Sequence, residues 1–485
     1  MALYGGVTLP GQPDLENVRK IDLMILPALN RMSRVGIAVD LPYLAELSSQ
    51  FGSEMVRLQR DISAYVPAHA LDQFADAAEA IEEESGSATV NASSAQQIAL
   101  LLFDLLGVGR SQPKLKRTAS GALSTSKKNL DLCRQDHPVI PLIQQYREFK
   151  KLKGTYCDGM PKLARLHPRS ACCPLCELPH AAPTHRLHTT WLTTRAITGR
   201  IQCNKPPLQT IPIRSKIGMK IRAAFVPSPG CKLVSVDFSQ MELRDLAHLA
   251  NARSMIRIYD ADGDIHLNTA TRAFNIAEAD VDKYLHRLPA KTVNFSITNG
   301  TSGKGLHAQI TSAYWAAGRV PPSWLTADWC DNFIVQWHGI YTEVQPYFNQ
   351  QYYRARRYNF VWNPWGRVRR IPQVMSSLPY KVSEGLREAQ NFPVTSSNAE
   401  QTKLAMAECE DTFEMLRDNG TYCEGLLTIH DQIVAEVEED MADALGAQMV
   451  YIFEHVMDDR DTGEKLWRLP IRSDCEVLDR WKAKE

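Results

Sequence analysis

Long apolar runs are missing from this sequence: no stretch approaches the roughly 18 uninterrupted apolar residues that a membrane span needs. Met1 to Pro13 has neither a basic region nor an apolar run. No membrane span or secretion signal is therefore expected, and the implied compartment is the cytoplasm. Eleven cysteines without an export signal are then reduced thiols or metal ligands, not a disulfide framework. With 44% hydrophobic and 23% charged residues, the chain is neither disordered nor fibrous. Net charge is missing too, since 55 Lys and Arg balance 55 Asp and Glu. That total speaks against a nucleic-acid partner, but the acids are unevenly placed. None occurs from Leu178 to Val236, a stretch that holds Arg186, Arg195, Arg200, Lys205, Arg214, Lys216, Lys220, Arg222 and Lys232. None occurs from Val344 to Ser383 either, where Arg354, Arg356, Arg357, Arg367, Arg369, Arg370 and Lys381 stand among Tyr352, Tyr353, Tyr358, Phe360, Trp362 and Trp365. Such segments suit a phosphate backbone and stacked bases. The alternative is a solvated face balanced by the acidic stretch from Glu436 to Asp461.

What is present centres on residues 233–249. Leu233, Val234 and Val236 read as a buried strand, and from Met241 the pattern turns helical with Leu243, Leu246, Ala247 and Leu249. Asp237 sits at the junction, where a strand end fixes a carboxylate while leaving it open to a hard cation. It also fits a plain helix-start Asp. Further on, Leu426–Ile429 and Ile433–Val437 predict two apolar strands around a tight turn at His430-Asp431. Arg287, Lys291, Phe295 and Asn299 recur every four residues, which on an α-helix gives one slowly turning face about 18 Å long. Two cations followed by an aromatic suit a nucleoside triphosphate. Pro289 is tolerable there only in a first turn. Finally, Cys173-Pro-Leu-Cys176 with His180 and His185 is compatible with tetrahedral zinc, and Cys172 or His167 could replace a ligand. A reduced, Pro-rich surface loop is the other reading.

The stretch Asp237-Phe-Ser-Gln-Met-Glu-Leu-Arg244 resembles the first catalytic motif of family A DNA polymerases, Asp-Tyr-Ser-Gln-Ile-Glu-Leu-Arg. Arg287-Leu-Pro-Ala-Lys-Thr-Val-Asn-Phe295 and Leu427-Thr-Ile-His-Asp-Gln-Ile-Val434 resemble the next two, in the family's order. Flanking segments extend the likeness from about Glu16 to the C-terminus: Gly36-Ile-Ala-Val-Asp40, Thr198-Gly-Arg200, Trp365-Gly-Arg-Val-Arg-Arg-Ile-Pro372, and Arg387 to Asn398.

The resemblance implies an α+β, right-hand polymerase fold with an antiparallel palm sheet, helical fingers and a helical thumb. The expected divisions are an arm at 1–35, a thumb at 36–190 with the Cys/His-rich insertion at about 167–185, palm at 191–260, fingers at 261–385, and palm again at 386–485. Residues 1–35 are too short for a proofreading or 5′ nuclease domain, so a bare core of the kind a phage encodes is expected, acting then in the host cytoplasm. The implied function is DNA-templated addition of dNTPs to a primer, with primer-template DNA and dNTPs as partners and the chain a monomer. Separate replication proteins such as an exonuclease, a helicase or a single-strand-binding protein are compatible partners. A single-subunit RNA polymerase and a non-catalytic DNA-binding relic are the alternatives.

By the same resemblance, Asp237 and Asp431 hold two Mg²⁺ ions and Lys291 assists the leaving pyrophosphate. Arg287, Lys291, Phe295, Gln240, Glu242, His266 and Asn299 meet the incoming nucleotide, Glu242 as the gate against a ribose 2′-hydroxyl. Arg200, Arg214, Arg387, Asn391 and His430 contact DNA. The chain departs from the family at Asn299, where a Tyr hydrogen-bonds the gate, at Ser296 (Gly), at Thr395-Ser396 (Gln-Gly) and at Gln432 (Glu).

Overall fold

The strand read at the centre of the sequence forms as β1, Cys231–Phe238, with Leu233, Val234 and Val236 fully buried. Three later strands join it: β2 (Cys423–Ile429), β3 (Gln432–Glu438) and β4 (Ser473–Leu478). Every pairing is antiparallel, in the order β4-β1-β3-β2. Opposite residues of antiparallel strands share a face, so the register sets the site: Asp237 stands across from Gln432 on one side and Asp474 on the other. A bulge between Val434 and Ala435 shifts the β2–β3 ladder.

The computed structural model describes residues 3–74, 89–110, 115–168, 173, 183–212 and 215–481. The chain divides into two compact units. One comprises Val39–Arg165 and Ile211–Phe225. Its long helix α1 (Leu41–Ser63) begins where the Asp40 carboxylate accepts from Tyr43 N at 3.0 Å, an N-cap that satisfies an end donor. Helix α2 (Val139–Leu152) packs on it, with Phe51 and Phe149 ring centroids 5.2 Å apart.

The other unit comprises Met1–Ala38, Leu166–Thr210 and Val226–Trp481 and contains the four-stranded sheet. Its helices include α3 (Met241–Leu249), α4 (Ile265–Phe274), α5 (Leu288–Ile297), α6 (Val344–Tyr358) and α7 (Pro379–Asp418). Near its start, Gly36 has φ +66°, and a Cβ there would lie 2.6 Å from Leu187 O, so the turn requires glycine. The following Ile37–Ala38 pairs with Thr184–Leu187. Helix α7 runs 40 residues and is buried on every side from Phe392 to Ala407.

Several cations of the acid-free segments prove to be structural. Arg186 is fully buried and donates to Val35 O, Gly36 O, Ser228 Oγ and, at 2.8 Å, Glu436. Arg367 pairs with Glu400 and Asp22, which Lys403 also holds, and Arg369 pairs with Glu388. A run of like charge in sequence is thus partly neutralised by acids that arrive from elsewhere in the chain.

Candidate active site

Asp237 is the last residue but one of β1, and Asp431 lies in the two-residue turn between β2 and β3, preceded by His430 at φ +58°. The backbone joins the two positions: Phe238 N donates to Asp431 O at 3.4 Å. From α7, Asn398 Nδ2 donates to the Asp431 carboxylate at 3.4 Å. Gln432, where the resemblance expects Glu, donates instead to Ser235 Oγ at 2.9 Å.

Helix α3 adds two more acids at the same end of the sheet. Glu242, in its first turn, accepts from Arg200 at 2.5 Å. Burial pushes its carboxyl up, Arg200 opposes the push, and the Asp431 charge reinforces it, leaving the net shift upward. Asp245 is fully buried, accepting from Gln401 Nε2 at 2.9 Å and Trp467 Nε1 at 3.1 Å. Burial, with the charges of Glu242 and Asp431, lifts it well above the usual carboxylate range. Such crowding of oxygen donors suits a divalent hard cation. Among the described residues, no group of three or more His, Cys, Asp or Glu is arranged around a common metal position.

The α4–α5 pair carries the residues expected to meet the nucleotide. Pro289 falls in the first turn of α5, as expected. The single α-helical face does not form as read. Arg287 belongs to a wider π-helical turn, Lys283–Arg287, and Asn299 lies in the turn beyond Ile297. The missing N–H of Pro289 breaks the regular ladder at one end, and Gly300 at φ +59° turns the chain at the other. Lys291, Phe295 and Asn299 nonetheless all reach solvent, and the Lys291 ammonium sits 5.9 Å from the Phe295 ring centroid. Arg287 pairs with Asp264 at 2.6 Å, and that same carboxylate caps α4 through His266 N.

His266 is buried with its ring 5.2 Å from that of Phe295. An indole N–H can only donate, so the bond from Trp337 Nε1 to Asn294 Oδ1 at 2.6 Å fixes the Asn294 amide. Its Nδ2 then donates to His266 Nδ1 at 2.9 Å, making His266 a neutral ring with its proton on Nε2. Burial agrees, lowering its pKa to about 4. Asn294 was given no role from the sequence, because a buried Asn carries no pattern of its own.

The profile of DNA polymerase family A matches residues 46–483. The chain belongs to DNA polymerase family A. It is 31% identical over 439 residues to the thermostable DNA polymerase I of Thermus aquaticus, covering 90% of this chain and 46% of that one. It is also 31% identical to DNA polymerase I of Pseudomonas aeruginosa, over 87% of this chain and 40% of that one. The chain thus spans less than half the length of these relatives. Among solved structures, the polymerase domain of Pol1 from M. smegmatis, in complex with DNA primer-template and dNTP, superposes with a TM-score of 0.74 at 25% identity. The match covers 96% of this chain and 72% of that one. The mixed helix and sheet architecture is that of a family A polymerase. No helix among the described residues is long and apolar enough to cross a membrane.

The remaining expected residues of this family A chain are placed as follows. Gln240 holds a left-handed turn at φ 56° ahead of α3 and accepts from Tyr259 OH at 3.3 Å. Arg387 and Asn391 lie on one face of α7, where Arg387 donates to Ser383 Oγ and Asn391 to Asn299 Oδ1 at 2.9 Å. Asn299 meets Asn391 there and not Glu242 directly. Arg214, Cys176 and His180 lie outside the described residues. His185 is exposed on its strand, whereas Cys173 is buried with Sγ 3.6 Å from His167 Nδ1. A carbonyl only accepts, so the contact of His188 Nδ1 with Ser33 O at 2.9 Å makes Nδ1 a donor. His188 Nε2 then accepts from His167 Nε2 at 2.9 Å, which leaves the His167 Nδ1 lone pair facing the thiol.

Proposed function

We propose that this chain is a DNA-templated DNA polymerase that extends a primer 3′ end with dNTPs. The observation that carries the reading is the meeting of Asp237 and Asp431 at one end of adjoining strands, beside Glu242 and Asp245, two carboxyls that burial raises and the Asp431 charge raises further. Those two aspartates would hold Mg²⁺, which when bound supplies charge neutralisation on the attacking and leaving oxygens. Asn398 steadies Asp431, and the β1–β3 ladder steadies Asp237. Arg287, held ready by Asp264, would pass to the γ-phosphate. Lys291 would stabilise the departing pyrophosphate, with the neutral His266 offering its Nε2 proton as a further donor. Arg200 keeps a buried Nε without a hydrogen-bond partner among the described residues, a donor that a primer strand could use. On α6, Tyr352, Tyr353, Arg356 and Arg357 line a surface recess of about 390 Å³ in which arginines and rings suit a nucleic-acid strand.

Zinc belongs to the same proposal. The proposed ligands are Cys173, Cys176, His180 and His185, with His167, whose Nδ1 lies 3.6 Å from the Cys173 sulfur, available to replace one of them.

The test is primer extension with Mg²⁺ and either dNTPs or rNTPs. Wild-type protein should extend with dNTPs. Asp237→Ala and Asp431→Ala should each lower extension by at least about a thousandfold, the loss of several kcal/mol of charge stabilisation. Gel-shift affinity for primer-template should stay within about threefold, because arginines supply most of the grip. Affinity falling in step with activity would refute the assignment.

A further inference from the structure

The carboxylate of Glu242 has two hydrogen-bonding neighbours. Arg200 Nη2 donates to it at 2.5 Å, and the Thr395 hydroxyl of α7 is the other. Thr395 is also 3.0 Å from Asn391 Oδ1 and donates to it. Asn391 in turn donates through Nδ2 to Asn299 Oδ1 at 2.9 Å. Asn391 and Thr395 are four apart on one helix, so their side chains stack one turn above the other. A continuous set of polar contacts therefore runs from Asn299, beside the end of α5, through α7, to Glu242.

The amide orientations make this chain directional. Asn391 commits its only donor group in the chain, Nδ2, to Asn299 and leaves Oδ1 to be satisfied by Thr395. The Thr395 hydroxyl has one proton and two lone pairs. It can donate to Asn391 or to an ionised Glu242, but not to both at once. Thr395 is therefore the branch point: breaking the Asn299–Asn391 contact frees the Asn391 amide to rotate and the hydroxyl proton to go to Glu242.

We propose that Asn299, Asn391 and Thr395 form a positioning relay for Glu242, so that sugar discrimination in this protein is set from α7 as well as from the end of α5. The inference rests on Glu242 acting as the ribose gate of the proposed polymerase. It accounts jointly for two departures noted in the sequence: Asn299 meets Asn391 and not the gate, and Thr395 stands where the family has the long Gln.

The experiment is single-nucleotide incorporation opposite a fixed template base, reading the ratio of kcat/KM for a dNTP to that for the matching rNTP. Glu242→Ala should collapse the ratio. Thr395→Val, which keeps the shape and removes the hydroxyl, should lower it about tenfold, and Thr395→Ser should restore it to within about twofold. Asn299→Ala, which releases the hydroxyl proton to Glu242, should instead raise the ratio by about fivefold, and Thr395→Val with Asn299→Ala should fall to the value of Thr395→Val alone, since the one hydroxyl carries both effects. If Thr395→Val stays within about twofold of wild type, or the two single effects multiply in full, the relay is refuted while the gate stands. A ratio unmoved by Glu242→Ala overturns the gate itself, and with it the relay, whereas dNTP incorporation by the same samples reports on the polymerase reading separately.

Discussion

Arg186 shows what a single residue can hide from a reader of sequence. It stands in an acid-free stretch that suits a phosphate backbone, yet it is fully buried against an equally buried Glu436. Burial alone would push the Glu436 carboxyl up; the Arg186 charge and the bonds from Arg186 and Ser228 overcome it and hold the group below its ordinary value. Removing one partner of such a pair leaves a buried charge uncompensated. Arg186→Met should therefore cost about 3–5 kcal/mol of stability, and adding Glu436→Gln should recover part of it. Urea unfolding measures both, and a change below about 1 kcal/mol in the single variant would contradict the account. Lys291 and Phe295 were legible because their exposed spacing reflects one local helix. Arg186 was not, because its partner lies 250 positions away.

At the scale of elements, two segments that carried the family resemblance separately turn out to touch. Gly199 has φ +85°, and a Cβ there would lie 2.7 Å from Arg367 Nε, so the Thr-Gly-Arg turn closes directly over the Gly-Arg-Val-Arg segment. Arg367 is itself tied to α7 by Glu400 and to the helix Leu15–Met24 by Asp22. Gly199→Ala should lose about 1–3 kcal/mol of stability through backbone strain, and it should weaken primer-template affinity by displacing the adjacent Arg200. Unfolding curves and fluorescence anisotropy with labelled DNA check the two effects, and wild-type values in both would rule out the contact as a constraint. Strand β1 and the β2–β3 hairpin could be read in advance because apolar runs around a turn specify a buried sheet. The length of α7 could not be read. A helix buried on all sides has no polar face, and its core includes Ser396, Ser397, Asn398, Gln401 and Lys403, residues that by themselves suggest a surface.

For the whole molecule, the acids gathered at one end of the sheet oppose the fold that carries them. A carboxyl whose pKa is higher folded than unfolded takes up a proton on folding, so stability falls as pH rises from the unfolded value through the folded one. Asp245 and Glu242 both behave in this way, burial being the main cause and Asp431 a contributor to each. Asp431→Asn should accordingly raise the thermal midpoint of the DNA-free protein at neutral pH, by roughly 2 °C, while abolishing extension. Mg²⁺ should narrow the gap between the two proteins, because a cation bound to the folded state alone stabilises only the wild type. A midpoint lowered by the substitution would show that Asp431 is held by favourable contacts after all. The acid-rich end of the sheet is therefore under a standing tension, because the charge proposed to hold metal is also one that works against folding. Selection for heat resistance alone would discard Asp431 early.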